Sequence, residues 1–225
     1  MISLPEFPKR IEIELASACN LSCVYCPRRF LEKLDGYMDF DLFKKLIDEA
    51  EPYPETILVL HRRGESLLHK EFIPMMEYIK GKFKTVQMAT NATKLDKDKA
   101  RAMVDSISFL SFSIDTPHNF EKIRVPARYE KVKSNILNFL DINQRAANPA
   151  TTQVSMVAGD QTTNKDIEIF KSTWQGKVDR IRIYEEHSSD GAFGSLKTRR
   201  PDRKPCTMPF YELLIYCDGS VGRCN

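Results

Sequence analysis

The chain has 225 residues with 42% hydrophobic content, enough apolar material for one buried core, or one domain with a small appendage. Its 34 Lys and Arg stand against 31 Asp and Glu, and a net charge of +3 gives no bulk electrostatic case for a nucleic-acid or membrane partner. No apolar run reaches membrane-spanning length, and the nine residues ahead of the first strand-like segment are too few and too proline-broken for a signal peptide.

In chain order, short β-branched runs alternate with amphipathic ones. The patterning predicts strands at Arg10–Leu15, Thr56–His61, Lys84–Thr90, Phe109–Asp115, Gln153–Ala158 and Asp179–Glu185. Between them it predicts helices at Asp39–Ala50, Lys70–Lys80, Asp96–Ser106, Tyr129–Arg145 and Asn164–Trp174, with a helical turn near Asp35. Asp39 or Asp41 suits the cap of the first helix and Asp96 that of the third. Val132, Ile136, Leu137, Phe139 and Leu140 recur at helical spacing, the stripe of a helix lying on a sheet. Six β–α repeats imply a parallel α/β sheet with right-handed crossovers. Six strands are too few to close an eight-stranded barrel, so the expectation is an open, partial (β/α)6 barrel. Its chemistry should sit at the C-terminal strand ends.

From Glu186 the repeat stops. Turn formers between Ser188 and Ser195, then the basic Lys197–Lys204 with Pro201, read as a linker. Phe210–Tyr216 and Ser220–Arg223 flank Asp218-Gly219 as a β-hairpin. The expected organisation is a barrel over 1–186, a linker over 187–205 and a small hairpin segment over 206–225.

All six cysteines lie in two groups, Cys19, Cys23 and Cys26, then Cys206, Cys217 and Cys224. Cysteine-free stretches between such clusters fit a reducing compartment, and the expected location is the cytoplasm. The first group, C-x3-C-x2-C directly after the first strand, cannot pair fully as disulfides. Three thiolates on one loop can share an iron–sulfur cubane and leave one iron open to a small molecule. The alternative is a structural zinc site, which would make the chain a zinc-binding interaction protein rather than an enzyme.

This spacing, with Tyr25 just before the third cysteine, resembles the signature of the radical S-adenosylmethionine (SAM) superfamily, whose core is the same (β/α)6 partial barrel. The resemblance implies a [4Fe–4S] cluster held by Cys19, Cys23 and Cys26, with SAM chelating the open iron. Arg63-Gly64-Glu65-Ser66 resembles the superfamily's Gly-Gly-Glu-Pro segment, where Gly64 and Glu65 would help hold the SAM ammonium; Arg63 and Ser66 depart from it. Thr90-Asn91-Ala92 resembles a Thr-Asn-Gly step, and Ser113-x-Asp115 a Ser-x-Asp element whose serine touches SAM. Arg124 resembles an Ile-Arg element that would neutralise a carboxylate, and Val157 is placed to pack on adenine. Cys206, Gly219 and Cys224, at C-x12-G-x4-C, resemble the opening of SPASM/twitch domains and imply an auxiliary Fe–S cluster. A later Cys pair normally completes that site, so the chain is expected to be truncated at Asn225.

The implied reaction is SAM cleavage to a 5′-deoxyadenosyl radical, followed by oxidation of an alcohol of a small polyol or aminosugar, with a flavodoxin- or ferredoxin-like electron donor. Two further reactions stay open: an epimerase using Cys217 as thiol hydrogen donor, and a maturase acting on a peptide side chain. Because the first strand begins about ten residues from Met1, a leader-recognition domain is not expected, which weighs against the maturase. His61 and Arg62, and Tyr184, Glu185, Glu186 and His187, are candidate substrate contacts at strand ends.

Overall fold

The computed structural model describes residues 4–30, 35–159, 162–186 and 206–222. The main sheet is built of β1 (Arg10–Ile13), β3 (Ile57–Val59), β4 (Thr85–Thr90), β5 (Phe109–Ser113), β7 (Thr151–Ala158), β8 (Arg180–Glu185), β9 (Glu212–Ile215) and β10 (Val221–Gly222). Two short strands, β2 (Ser22–Cys23) and β6 (Arg124–Val125), pair apart from it. The helices are α1 (Phe40–Ala50), α2 (Phe72–Ile79), α3 (Lys97–Val104), α4 (Pro117–Ile123), α5 (Tyr129–Gln144) and α6 (Asn164–Trp174).

The sheet order is β10-β9-β1-β3-β4-β5-β7-β8, open at both ends, and all its pairs are parallel except β9–β10. The expected open α/β partial barrel is therefore present. The small C-terminal hairpin is joined to the barrel sheet: β9 extends it in parallel, pairing Arg10 with Glu212 and Ile13 with Ile215. Its turn falls where the sequence places it. Gly219 has φ +84°, a conformation glycine adopts without a Cβ clash, and its N–H donates to the Tyr216 carbonyl (2.9 Å).

Strand alternation sorts the side chains. Ile11, Ile13, Leu58, Leu60, Met88, Leu110, Phe112, Val154 and Met156 lie in the core with Phe43, Phe72, Met103, Phe139 and Trp174 of the helices. The register places Arg10, Glu12, Gln87, Ser111, Ser113, Gln153 and Ser155 on the opposite, inner face. Capping follows the sequence: Asp39 accepts from the N–H of Asp41 and Leu42, and Asp96 from that of Lys99.

Four differences have local causes. Helix α4 went unpredicted because its seven residues present only Phe120 as a buried anchor. β2 and β6 are two residues each, too short to show a period. Leu137 of the expected α5 stripe is exposed and Leu140 only half-buried; the buried face instead uses Tyr129, Val132, Asn135, Ile136 and Phe139. The turn expected near Asp35 is extended at Tyr37, which bridges Ala16, while 31–34 lie outside the described residues.

Candidate functional site at the C-terminal strand ends

The loop after β1 carries Cys19, Cys23 and Cys26, all partly buried. It is held at several points. Cys23 pairs with Arg124 in the β2–β6 ladder, the Val24 N–H donates to the Ile123 carbonyl (3.0 Å), and the Cys26 N–H donates to the Cys23 carbonyl (3.1 Å). The loop after β3 closes on it from the other side. The Glu65 N–H donates to the Ala18 carbonyl (2.8 Å), and a Cβ on Gly64 would stand 2.2 Å from the Ala16 oxygen and 2.4 Å from the Ala18 oxygen. Gly64 is thus required by the close approach of two backbones.

The departures from the superfamily pattern have structural explanations. Arg63 forms a two-pronged pair with Glu14 (Nε to Oε1 2.8 Å, Nη2 to Oε2 2.8 Å) and stacks on Tyr216 at 4.1 Å. Burial alone would raise the Glu14 carboxyl, but the Arg63 hydrogen bonds outweigh it and hold it low. Ser66 donates to the Leu60 carbonyl (2.7 Å). Ala92, at the position of a glycine, adopts φ +56°; its N–H donates to Thr90 Oγ1 (3.0 Å) and its carbonyl accepts from Asn135 (2.8 Å).

Glu65, 3% exposed, is a structural clasp: Oε1 accepts from the Leu67 N–H (3.1 Å) and the Thr90 hydroxyl (2.7 Å), and Oε2 from the Asn91 N–H (2.8 Å). Burial pushes its carboxyl above the ordinary carboxylate range despite these bonds. The Asn91 amide reaches Asn20 Oδ1 (3.2 Å) and lies 3.9 Å from the Cys19 sulfur, while its oxygen accepts from Thr93 (2.6 Å from the hydroxyl). Asp115 is buried and ion-pairs with buried Arg124, and the Tyr25 hydroxyl lies 3.4 Å from the same Asp115 oxygen. Burial would lower the Arg124 guanidinium, but the Asp115 charge overcomes this and keeps it firmly protonated.

Two adjoining cavities open here. The smaller, about 180 Å³, is bordered by the three thiols together with Tyr25, Gly64, Glu65, Asn91, Ser113 and Arg124. The larger, about 390 Å³, lies over the inner face of the sheet, bordered by Gln87, Ser111, Gln153, Ser155, Val157 and Tyr184. Tyr25, His61, Ser113 and Arg124 border both. Asp115 and Cys217 border neither. Asp115 stands behind Arg124, and the Cys217 thiol packs beside Ser17 (3.4 Å) near Gly36. Cys206 is exposed, whereas Cys224 and His187 lie outside the described residues. Glu186 folds over Gly159. The inner-face residues Gln87, Ser111, Gln153 and Ser155 were not singled out from the sequence; their signal was strand parity, which marks them as facing away from the helices.

Burial raises the Cys19 thiol and pushes Cys23 up to about 11, so both need a cation to become thiolates. Among the described residues no three His, Cys, Asp or Glu side chains gather tightly enough to hold one metal ion. The thiols instead share the border of a cavity, and soft donors so disposed fit a cluster better than mononuclear zinc.

An open, mostly parallel α/β sheet with a thiol loop at its C-terminal end defines a partial-barrel class with a metal-cofactor site. Residues 13–173 match the sequence model of the Radical SAM superfamily, and the chain belongs to that superfamily, whose members use a [4Fe–4S] cluster and SAM. It is 31% identical over 109 residues to the tungsten-containing aldehyde ferredoxin oxidoreductase cofactor-modifying protein of Pyrococcus furiosus, covering 48% of this chain and 31% of that one. The chain thus spans about a third of that relative's length. Among solved structures it resembles Streptococcus suis SuiB bound to the precursor peptide SuiA (TM-score 0.73, 11% identity, 98% of this chain and 60% of that one). It also resembles BtrN in complex with AdoMet and 2-DOIA (TM-score 0.57, 18% identity, 97% and 74%). Among the described residues no helix is long and apolar enough to cross a membrane.

Proposed function

We propose that the protein holds a [4Fe–4S] cluster on Cys19, Cys23 and Cys26, binds SAM beside it, and oxidises an alcohol carbon of a small polyol or aminosugar in the larger cavity. The observation that carries this reading is the convergence of three thiols, Gly64-Glu65, Asn91 and Ser113 on one cavity that adjoins a second, hydroxyl- and amide-lined one. When bound, the cluster and SAM would supply a 5′-deoxyadenosyl radical able to take a hydrogen atom from the alcohol carbon, and the auxiliary cluster proposed on Cys206 and Cys224 would accept the second electron as the hydroxyl proton leaves to solvent.

The chain's own residues position and select. Glu65 ties the ends of β3 and β4 together through Thr90 and Asn91, and so fixes the cavity wall. Arg124, oriented by Asp115 and facing the Tyr25 ring at 5.5 Å, borders both cavities, and the N–H groups not turned to Asp115 are donors for SAM. Ser113, which borders both cavities, supplies a hydroxyl to the methionine or ribose end, and Val157, at the larger cavity only, offers an apolar surface to an adenine that extends past the seam.

For the substrate, Gln87, Ser111, Gln153 and Ser155 can each donate and accept hydrogen bonds. The two arginines bordering the same cavity are already paired, Arg10 with Glu212 (2.6 Å) and Arg124 with Asp115. Such a surface favours a neutral, hydroxyl-rich molecule over an ion. In this reading residues 1–186 are the catalytic barrel, 187–205 a linker, and 206–225 the start of an auxiliary-cluster segment with Cys206 and Cys224 as ligands. The reducing electron would come from a flavodoxin- or ferredoxin-like donor.

The test is anaerobic reconstitution with iron and sulfide, with 5′-deoxyadenosine formed from SAM as readout. Wild type should bind iron and cleave SAM, and a Cys19, Cys23, Cys26→Ala triple variant should do neither. Zinc binding without iron, or undiminished cleavage by the triple variant, would overturn the reading.

A further inference from the structure

His61 stands where the two cavities meet and borders both. Its Nδ1 is buried and has no hydrogen-bond partner within the protein. Nδ1 is enclosed beyond the reach of a bound molecule, whereas Nε2 has no protein partner among the described residues and is not so enclosed. A polar atom at a cavity wall is satisfied by whatever enters the cavity. Burial, with Arg10 and Arg62 adding to it, lowers the imidazole to about 4, so it is neutral at physiological pH. So weak a base is unsuited to storing a proton, but a neutral imidazole makes one good hydrogen bond from either tautomer. A hydroxyl matches both tautomers, because it donates and accepts; an ammonium or a carboxylate matches only one.

We propose that His61 is the substrate-positioning residue of this enzyme: its Nε2 hydrogen-bonds a hydroxyl of the molecule in the larger cavity and holds the neighbouring carbon at the seam with the smaller one. The proposal rests on the polyol reading and adds to it the group that decides which carbon is presented. Gln87 and Ser111 then bind other hydroxyls farther along the inner face.

The experiment measures binding of myo-inositol, glycerol and glucosamine to the reconstituted, SAM-loaded protein by isothermal titration calorimetry. It compares wild type, His61→Phe and His61→Gln, with iron content and thermal midpoint confirming that each is folded. His61→Phe should bind the favoured polyol about tenfold more weakly, equivalent to about 1.4 kcal/mol. His61→Gln, which restores a hydrogen-bonding atom, should recover part of the loss. If the Phe variant does not fold, His61→Leu, equally unable to hydrogen-bond, replaces it. Equal affinity of wild type and the Phe or Leu variant would overturn the role of His61 alone, leaving the polyol reading intact. Wild-type protein that binds none of the three probes would overturn both.

Discussion

Replacing Glu65 by Gln changes one atom in a fully enclosed clasp, and its effect on folding arises before any cofactor binds. The carboxylate takes three donors: the Leu67 N–H and Thr90 hydroxyl on Oε1, and the Asn91 N–H on Oε2. A glutamine must put its NH₂ against one of these. Facing Oε1 it meets two donors, and the Thr90 hydroxyl cannot simply turn away, because Thr90 Oγ1 already accepts the Ala92 N–H (3.0 Å). Facing Oε2 it strands only the N–H of Asn91, a residue 7% exposed, and this is the cheaper arrangement. An orphaned buried donor costs about 1–3 kcal/mol. Removing a buried charge returns part of that, since burial already pushes the Glu65 carboxyl upward. The mismatch exceeds the relief, because the charge is stabilised by three hydrogen bonds whereas the stranded N–H has no substitute acceptor. A net loss of about 1–2 kcal/mol should lower the melting temperature of the cofactor-free protein by about 2–8 °C at this chain length. Differential scanning calorimetry of wild type and Glu65→Gln measures it. An unchanged midpoint with weakened SAM binding would refute the clasp and leave Glu65 as a ligand contact only.

Three other outcomes are expected. Gly64→Ala forces a Cβ to within 2.2 Å of the Ala16 oxygen, so the thiol loop must move; stability should drop by about 2–4 kcal/mol and iron retention after gel filtration should fall. His61, lowered to about 4 in the folded state, binds a proton more readily when unfolded, so its contribution is complete above about pH 6.5 and is lost as pH falls toward 4. Urea unfolding should therefore show wild type losing about 2 kcal/mol relative to His61→Leu between pH 7 and 4.5, and parallel profiles would refute this. Cys217→Ala should cost only about 1 kcal/mol of packing against Ser17 and Gly36, and wild type should place no solvent deuterium at the product carbon in deuterated water. Deuterium incorporated by wild type and lost in the variant would instead identify an epimerase.

The alternation of strands and helices, the caps at Asp39 and Asp96, the hairpin turn at Gly219 and the thiol spacing were all legible in the sequence. Each is local: a side-chain period, a cap or a turn is set by residues a few positions apart, so composition and order carry it. The gathering of three thiols on one loop was legible for the same reason, since its three cysteines fall within eight residues. What tertiary structure alone decided are meetings between distant segments. Nothing near Glu212 announces that it will lie beside Arg10 and extend the barrel sheet. Gly64 could be read from its motif, but its necessity lies in carbonyls of Ala16 and Ala18, nearly fifty residues earlier. Asp115 reads like a cofactor contact, yet the fold turns it toward Arg124, with which it forms a buried ion pair. His61 is one polar residue after a strand until the fold buries it and the charges of Arg10 and Arg62 act on it, and these together keep it neutral. Burial and long-range pairing belong to the folded chain as a whole, and they govern the electrostatics from which a site is made.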